Sequence, residues 1–300
     1  MKNKPQFSDL DVFCAVVRCK SFSGAANEIG ASPAFVSKRI QVLEKTLDCK
    51  LLNRSTRNVS LTEDGKYIYE KSRRILIELD NLKETATQNN DSLSGTLSVV
   101  CSLGLGRLHL APILSELMFL HPKLILKLDT IDNMIDLVQH GIDIDIRVGN
   151  VLDPNIFAKR LLANQRILCA APDYLKEFGY PLDLNDLQNH GCLVTKERDQ
   201  PFGLWRFDSS HGERRVKVSP KLSSNNGEVV KNWALAGHGI MLRSEWEIQD
   251  ALRQGALIHI LKEYWQDADI WAVYPSRLNE SAKLKLCLDF IMLKLHERIA

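Results

Sequence analysis

The chain has 300 residues, about two domains' worth at roughly 150 residues per domain, and 45% of them are hydrophobic. That composition supports packed cores and excludes a disordered or collagen-like chain. The 39 basic and 37 acidic residues give a formal net charge of +2, but this charge is divided unevenly. Residues 1–60 carry +5 and the remaining 240 residues carry −3. A small basic head on a mildly acidic body predicts a polyanion-binding module joined to a second module.

The seven cysteines predict no disulfide framework, because their number is odd and no pair has CxxC or zinc-ligand spacing. We therefore expect a reducing compartment. Residues 1–7 lack the apolar core of a signal peptide, and the apolar stretch 95–120 is interrupted by residues such as Arg107 and Pro112. These features predict a soluble, cytoplasmic protein with no membrane partner.

Three short helices are predicted within the first fifty residues. The first covers residues 8–17 and the second covers residues 21–29, after which Gly30 provides a turn. Ser32 and Pro33 then open the third helix as N-cap and first helical residue, positions that these residue types favour. Four apolar residues give the third helix one buried stripe: Val36, Ile40, Leu43 and Leu47.

A wing and a long helix are predicted next. Residues 50–53 and 58–61 are β-prone and flank a basic turn at 54–57. Thr62 then caps a helix whose heptad-like apolar seam predicts pairing with a second helix in a homodimer. The alternative is an amphipathic helix packed on its own domain. The seam residues are Ile68, Ile75, Leu79, Leu82 and Ala86, and the polar run 88–92 predicts a hinge.

Strands and helices alternate beyond the hinge, which predicts an α/β body with mostly parallel sheets. The first set comprises strands at 96–101, 124–128 and 142–148 and helices at 105–120 and 134–140. A second set runs from a strand at 166–171 to one at 257–261. We expect the final strand, 270–274, and the final helix, 280–299, to rejoin the first set.

Ala26, Gly30 and Val36 have the spacing of a helix-turn-helix, in which a small residue lets two helices cross, glycine turns the chain and a branched residue fills the wedge. Residues 33–57 contain six basic and two acidic residues. This excess favours contacts with DNA phosphates over the alternative that the basic side chains form a solvated surface. We therefore expect the affinity for DNA to fall steeply as the salt concentration rises. The DNA-binding candidates are Ser23, Ser32, Pro33, Ala34, Ser37, Lys38, Arg39, Arg54, Thr56 and Arg57.

A second candidate site lies where strands of the two predicted lobes end, the usual ligand cleft of such folds. Hydroxyls, helix N-termini and guanidinium groups there suit a carboxylate or phosphate. The alternatives are glycines that only ease a turn and arginines in surface salt bridges. The effector-binding candidates are Ser102, Leu103, Gly104, Arg107, Arg147, Thr195, Lys196, Asn225, Asn226 and Arg243. Asp143 and Asp145 share one face of a strand, but with no third ligand we expect them to be structural.

Five runs in the head resemble the winged helix-turn-helix of the LysR-type transcriptional regulators. They are residues 22–26 (FSGAA), 32–40 (SPAFVSKRI), 43–44 (LE), 51–54 (LLNR) and 61–65 (LTEDG). One departure is Pro33, where many members carry a glutamine that contacts bases. Base contacts here then fall to other side chains, such as Ser37, Lys38 and Arg39.

The resemblance implies a DNA-binding domain, a linker and dimerisation helix, and an effector domain of periplasmic-binding-protein type 2 with two lobes. The expected boundaries are 1–61 for the head, 62–90 for the linker helix, 91–164 with 266–300 for lobe I, and 165–265 for lobe II. It also implies a homodimer or homotetramer that binds double-stranded promoter or operator DNA and contacts RNA polymerase.

Runs in the second half resemble the subgroup of this family that activates L-tartrate dehydratase genes. They are residues 166–172 (RILCAAP), 192–199 (CLVTKERD), 223–225 (SSN), 239–246 (GIMLRSEW) and 270–274 (IWAVY). This resemblance implies an activator whose effector is a hydroxy-dicarboxylate such as tartrate or malate. A family member that senses a different small anion is the alternative.

Three other classes fit less well. A solute-binding receptor shares the lobed fold but needs an export signal and has no use for a basic head. An enzyme is disfavoured because no nucleophile elbow, metal motif or phosphate loop surrounds Ser102, His109 or Asp129. A redox sensor would use Cys169 and Cys192, which lack a flanking basic cluster. We therefore expect no catalysis, no cofactor and no metal.

Overall fold

The computed structural model describes residues 4–54, 59–87, 93–131, 135–149, 156–196, 202–210, 212–275 and 281–299. In the head, the elements are α1 (Phe7–Cys19), α2 (Phe22–Ile29), α3 (Pro33–Leu47), β1 (Leu52–Arg54), β2 (Val59–Leu61) and α4 (Glu63–Thr87). In the body, the strands are β3 (Gly95–Cys101), β4 (Leu124–Thr130), β5 (Ile144–Val148), β6 (Phe157–Leu162), β7 (Gln165–Ala170), β8 (Cys192–Thr195), β9 (Leu204–Phe207), β10 (Arg214–Lys217), β11 (Pro220–Ser224), β12 (Ile240–Ser244), β13 (Ile258–His259), β14 (Trp265–Asp267) and β15 (Ile270–Tyr274). The body helices are α5 (Leu103–Leu105), a π-helical turn (Gly106–Leu110), α6 (Ala111–Leu120), α7 (Leu137–His140), α8 (Pro172–Phe178), a 3₁₀ helix (Asp186–Asn189), α9 (Gly227–Leu235), α10 (Glu245–Arg253) and α11 (Ala282–Ile299).

Side-chain caps define the helix starts of the head. The hydroxyl oxygens of Ser21 and Ser32 each accept a hydrogen bond of 3.2 Å from the backbone of α2 and α3 respectively. Thr62 does the same for α4, accepting from the Gly65 amide at 2.9 Å. The predicted stripe of α3 faces the core, where Val36 and Ile40 are fully buried. Antiparallel β1 and β2 form the wing hairpin.

The predicted seam of α4 divides into two parts. Ile68 packs against the core of the head, whereas Ile75 and Leu82, one and two heptads further along, are 43% and 66% exposed. Leu79 is partly buried, and nothing is described of the Ala86 side chain. One face of the first half of α4 therefore packs on the head, through Ile68 and Leu76, whereas Ile75 and Leu82 present apolar side chains outward. The predicted hinge at 88–92 lies outside the described residues.

Lobe I is built on a five-stranded sheet in the order β4-β3-β5-β15-β6. Strands β4, β3 and β5 are parallel, but β15 runs antiparallel to both β5 and β6. The strands of the first set pair in parallel as predicted, but the complete sheet is mixed, because β15 returns from lobe II and enters the sheet from the opposite end. As predicted, the last strand and α11 pack with the first set of elements.

The helical segment Leu103–Leu120 is long and apolar enough to span a membrane by length and composition alone. In this fold, however, its Leu110, Ile113 and Leu117 are fully buried in the core of lobe I. It begins two residues before the predicted start at Leu105. Residues 132–134 and 280, at the predicted starts of two other helices, lie outside the described residues.

Lobe II has a mixed sheet in the order β11-β8-β12-β7-β13, with β14 also on β7 and the hairpin β9-β10 beside it. Two chain crossings join this lobe to lobe I, between β6 and β7 and between β14 and β15. The Asn164 side chain ties these crossings together, because its amide nitrogen donates to the Ala268 carbonyl at 2.7 Å and to the Ser244 hydroxyl at 3.3 Å. The two lobes thus meet at a hydrogen-bonded hinge.

Candidate DNA-binding surface and effector site

The first turns of α3 present small side chains and a cation to solvent. Ser32, Pro33, Ala34 and Lys38 are exposed and Ser37 is partly exposed, while Ser23 is exposed on α2. This face lies opposite the buried stripe of α3, as a recognition helix requires for entry into a major groove. The structure therefore brings six of the predicted DNA-binding residues to the surface of the helix-turn-helix.

Arg39 has a different environment from the one predicted. Its guanidinium is ion-paired with the buried carboxylate of Asp9 on α1 and donates hydrogen bonds to Gln6 at 2.8 Å and Ser8 at 3.4 Å. In this arrangement Arg39 joins α3 to α1, and its side chain is 23% exposed. Nothing is described of the Arg54 side chain, and Thr56 and Arg57 lie outside the described residues.

Glu44 is a residue of the DNA-binding head whose role was not predicted. Its carboxylate is buried, accepts hydrogen bonds from the amides of Leu51 at 3.0 Å and Leu52 at 3.4 Å, and forms a 3.2 Å ion pair with Lys50. These bonds fix the start of the wing against the recognition helix. An acidic residue beside Leu43 on the buried stripe was the available clue, since a buried carboxylate needs partners.

A cavity of about 500 Å³ opens in lobe II at the end of β8. Its size is that of a small-molecule site, and its walls are apolar with a few polar groups. It is lined by Val194, Thr195, Lys196, Phe202, Gly203, Leu204, Trp205, Ser223, Leu242 and Gln266. The Lys196 ammonium lies 5.6 Å from the centre of the Phe202 ring. Two of the predicted effector residues, Thr195 and Lys196, are therefore in one cavity.

Arg243 connects this cavity to the space between the lobes. Its guanidinium donates to the Thr195 hydroxyl at 3.2 Å and is ion-paired with Glu247 one turn into α10. The guanidinium also covers Gly227, where a β-carbon would lie within 2.0 Å of it. Arg243 Nε and Glu247 Oε1 are buried and have no hydrogen-bond partner among the described residues. These two charged groups are paired with each other, but each keeps one buried polar atom without a hydrogen-bond partner, which a bound polar ligand or water could supply.

The strand-to-helix turn of lobe I faces lobe II. A β-carbon on Gly104 would lie 3.6 Å from the Trp246 ring, 3.8 Å from Glu228 Cγ and 4.0 Å from Glu247 Cδ. Arg107 donates from Nε to Glu228 Oε1 at 2.9 Å, and this hydrogen bond raises the pKa of the guanidinium. Ser102 and Leu103, partly buried, begin the same turn. The structure thus brings Gly104 and Arg107 of lobe I to the lobe II network.

The remaining candidates have other partners. Arg147 is ion-paired at 2.7 Å with the fully buried Asp145 in lobe I. Asn226 uses its side-chain oxygen to cap α9, accepting from the Glu228 amide at 2.9 Å, and Asn225 is exposed. Asp143 accepts a 2.7 Å hydrogen bond from the Ser98 amide, a structural role. In the described part of the chain no three His, Cys, Asp or Glu side chains are grouped to hold a metal.

Cys169 and Cys192 of the effector lobes lie in environments that disfavour the reactive thiolate. Cys169 and Cys192 are fully buried, and burial raises the pKa of each thiol to about 12. A thiol with such a pKa stays protonated at neutral pH, and the thiolate is the reactive form. This environment disfavours the redox-sensing alternative.

The winged helix-turn-helix, the long linker helix and the two lobes with a polar site between them define a ligand-responsive DNA-binding regulator. The family comparison agrees: residues 7–66 match the bacterial regulatory helix-turn-helix of the LysR family, and residues 90–294 match the LysR substrate binding domain. The chain belongs to the LysR family of transcriptional regulators, whose relatives described below are regulators and not enzymes.

Two relatives from Escherichia coli K12 are similar over almost the whole chain. The HTH-type transcriptional activator TtdR is 46% identical over 98% of this chain and 95% of its own, and the regulator DmlR is 44% identical over 97% and 95%. The structure of CrgA from Neisseria meningitidis is 29% identical, with a TM-score of 0.59, and covers 97% of this chain and 99% of that one. Full-length OxyR from Pseudomonas aeruginosa has a TM-score of 0.73 at 16% identity, covering 97% and 96%, and shows the fold alone.

Proposed function

We propose that this protein activates genes for the metabolism of a small hydroxy-dicarboxylate, of the malate or tartrate kind, when that acid binds between its lobes. It acts in the cytoplasm as a homodimer or homotetramer on promoter DNA and contacts RNA polymerase. The 46% identity to the activator TtdR supports the subgroup, and the exposed apolar seam of α4 supports the oligomer.

The observation that carries the effector class is a set of three cations, one in the cavity wall, one bonded to a wall residue and one on the facing lobe. Lys196 is exposed at the edge of the cavity, Arg243 reaches its Thr195 side, and Arg107 stands across the lobe boundary. Guanidinium groups match carboxylates in geometry, and a diacid has one carboxylate for each of two cations. Hydroxyl groups on the ligand suit the polar atoms of Thr195, Ser223 and Gln266 in the cavity wall.

Tryptophan fluorescence tests the effector class, because all five tryptophans lie in the effector domain and Trp205 lines the cavity. Succinate, malate and tartrate are titrated separately, with lactate as a monocarboxylate control. We expect saturable changes with malate or tartrate, a weaker response to succinate, which lacks the hydroxyl, and none with lactate. A flat response to every diacid contradicts the proposed effector class.

Variants of the site locate the response. Arg243→Met removes a cation, while Arg253→Met, at the exposed end of α10, removes the same type of side chain from the same lobe. We expect the first to abolish the malate or tartrate response and the second to leave it unchanged. Thr195→Val keeps Arg243 with Glu247 and tests the hydroxyl in a chain whose buried ion pair is intact. Full responses in both Arg243→Met and Thr195→Val would place the ligand elsewhere.

A further inference from the structure

An ion pair connects the two lobes at the effector site. Arg107 lies on the π-helical turn of lobe I, and Glu228 lies in the first turn of α9 in lobe II, 121 residues away. Both Nε and Nη2 of Arg107 donate to the same oxygen, Glu228 Oε1. The Glu228 side chain is 18% exposed and that of Arg107 is 58% exposed, so the pair lies at the opening of the inter-lobe space.

A second guanidinium beside it also holds a carboxylate of the chain. Arg243 is paired with Glu247, and its guanidinium covers Gly227, the residue that precedes Glu228. Both glutamate side chains lie beside Gly104, whose β-carbon position is 3.8 Å from Glu228 Cγ and 4.0 Å from Glu247 Cδ. Two neighbouring cations therefore each bind a carboxylate that belongs to the protein, as they would bind the two ends of a diacid.

We propose that Glu228 is an internal competitor of the effector, occupying Arg107 in the ligand-free protein until a ligand carboxylate displaces it. This inference rests on the proposed function, because it assigns a role at the same site. The exchange breaks an ion pair between the lobes, so binding of the acid is coupled to a change in how the lobes are held together. Glu228 thereby sets both the affinity for the effector and the ligand-free arrangement of the lobes.

Glu228 can be changed without loss of the helix to which it belongs. The start of α9 is capped by the Asn226 side chain, which accepts from the Glu228 backbone amide at 2.9 Å, so the cap does not use the Glu228 carboxylate. Glu228→Gln keeps the size of the side chain and removes its charge. Glu228→Asp keeps the charge but shortens the side chain by one methylene, which withdraws the carboxylate from Arg107.

The test measures the affinity of the full chain for malate and for tartrate by calorimetry. A partly exposed ion pair contributes little, so we expect Glu228→Gln to bind the diacid about threefold to fivefold more tightly than the wild type. Glu228→Asp should shift affinity in the same direction. Asp289→Asn, which removes the partner of Lys159 elsewhere in lobe I, is the matched control and should leave affinity unchanged.

The gain must also depend on Arg107. In an Arg107→Ala background we expect weaker binding overall and no further effect of Glu228→Gln, because the two residues act through one contact. If Glu228→Gln still increases the affinity for the diacid in the Arg107→Ala background, the increase comes from the loss of a negative charge near the ligand, and the competitor role is overturned. Equal affinity of wild type and Glu228→Gln overturns it too, as does weaker binding by Glu228→Gln, which would make Glu228 a ligand contact. In these cases the wild type still binds the diacid, so the proposed function stands, whereas no binding by any of the proteins overturns the proposed function itself.

Discussion

The guanidinium of Arg39 on the recognition helix is ion-paired with Asp9 on α1, whose side chain is only 3% exposed. Removal of the cation leaves a buried carboxylate without its partner, which is strongly unfavourable. We therefore expect Arg39→Ala to lower the free energy of unfolding of the head by about 3 kcal/mol. Urea denaturation followed by circular dichroism measures this loss.

Lys38→Ala is the control for that variant, because Lys38 is the exposed neighbour on the same helix turn. We expect it to change stability by less than about 0.5 kcal/mol and to weaken binding to promoter DNA, with a shallower dependence of affinity on salt. Gel-shift titrations at several salt concentrations supply the measurement. Equal stability of the two variants would show that the Asp9 ion pair does not contribute to the fold.

These two residues show which parts of the head could be predicted from sequence. Ser32 and Pro33 open α3 as expected, because capping and periodicity are local properties of the chain. The pairing of Arg39 with Asp9 joins residues thirty positions apart, and no local pattern identifies it. The charge of Arg39 and its position in the recognition helix predict a DNA contact, but they give no indication of this ion pair.

The effector site also has features that could be predicted from the sequence and features that could not. Strand ends and helix starts predicted that Ser102 and Thr195 lie near the lobe boundary, since carboxyl ends of strands meet there. The partners of the arginines could not be predicted, because Glu228 meets Arg107 only when the two lobes are placed together. The antiparallel direction of β15 was missed for a related reason, as it depends on where the chain re-enters lobe I.

Gly65 lies where the start of α4 packs closely against the backbone of Leu51. A β-carbon there would lie 2.0 Å from the Leu51 carbonyl oxygen, so the start of α4 can pack on the wing only with glycine at this position. Intrinsic helix propensity favours alanine over glycine, but we expect Gly65→Ala to destabilise the head by about 2–3 kcal/mol because the backbone must shift. Thermal unfolding measures the effect, with Lys66→Ala at the adjacent exposed position as a nearly neutral control. A rise in melting temperature for Gly65→Ala would contradict the contact.

The burial of His109 makes the stability of the protein depend on pH. Burial lowers its pKa below the usual 6.5, and the Arg298 charge lowers it further. Below pH 6.5 the unfolded chain therefore binds a proton that the folded chain resists, so stability falls as the pH is lowered from 6.5 toward the pKa of the folded protein. Above pH 6.5 both states are neutral at this residue, and its contribution is constant.

The variant His109→Phe retains an aromatic ring against Trp246, which His109 contacts edge-on at 5.5 Å between ring centres. We expect thermal unfolding of this variant to depend less on pH between 7.5 and 5.5 than that of the wild type, with both pH limits chosen to bracket the usual value of about 6.5. Burial also lowers the pKa of His259, so the remaining dependence should shrink again in the double variant His109→Phe, His259→Phe. Identical pH profiles for the wild type and both variants would contradict this account.

Substitution of the exposed apolar residues of α4 tests whether two copies of the chain associate through this helix. Ile75 and Leu82 lie one heptad apart and are 43% and 66% exposed, as expected for a helix that packs against a second copy. We expect the double variant Ile75→Glu, Leu82→Glu to sediment as a 34.0 kDa monomer and to bind a promoter half-site far more weakly than the wild type. Arg74→Ala with Glu78→Ala, at exposed positions of the same helix, is the control and should remain associated. Both variants should unfold at the wild-type temperature of the head, because the packing of Ile68 against its core is unchanged. A double glutamate variant that keeps the wild-type mass would show that the copies associate through another surface.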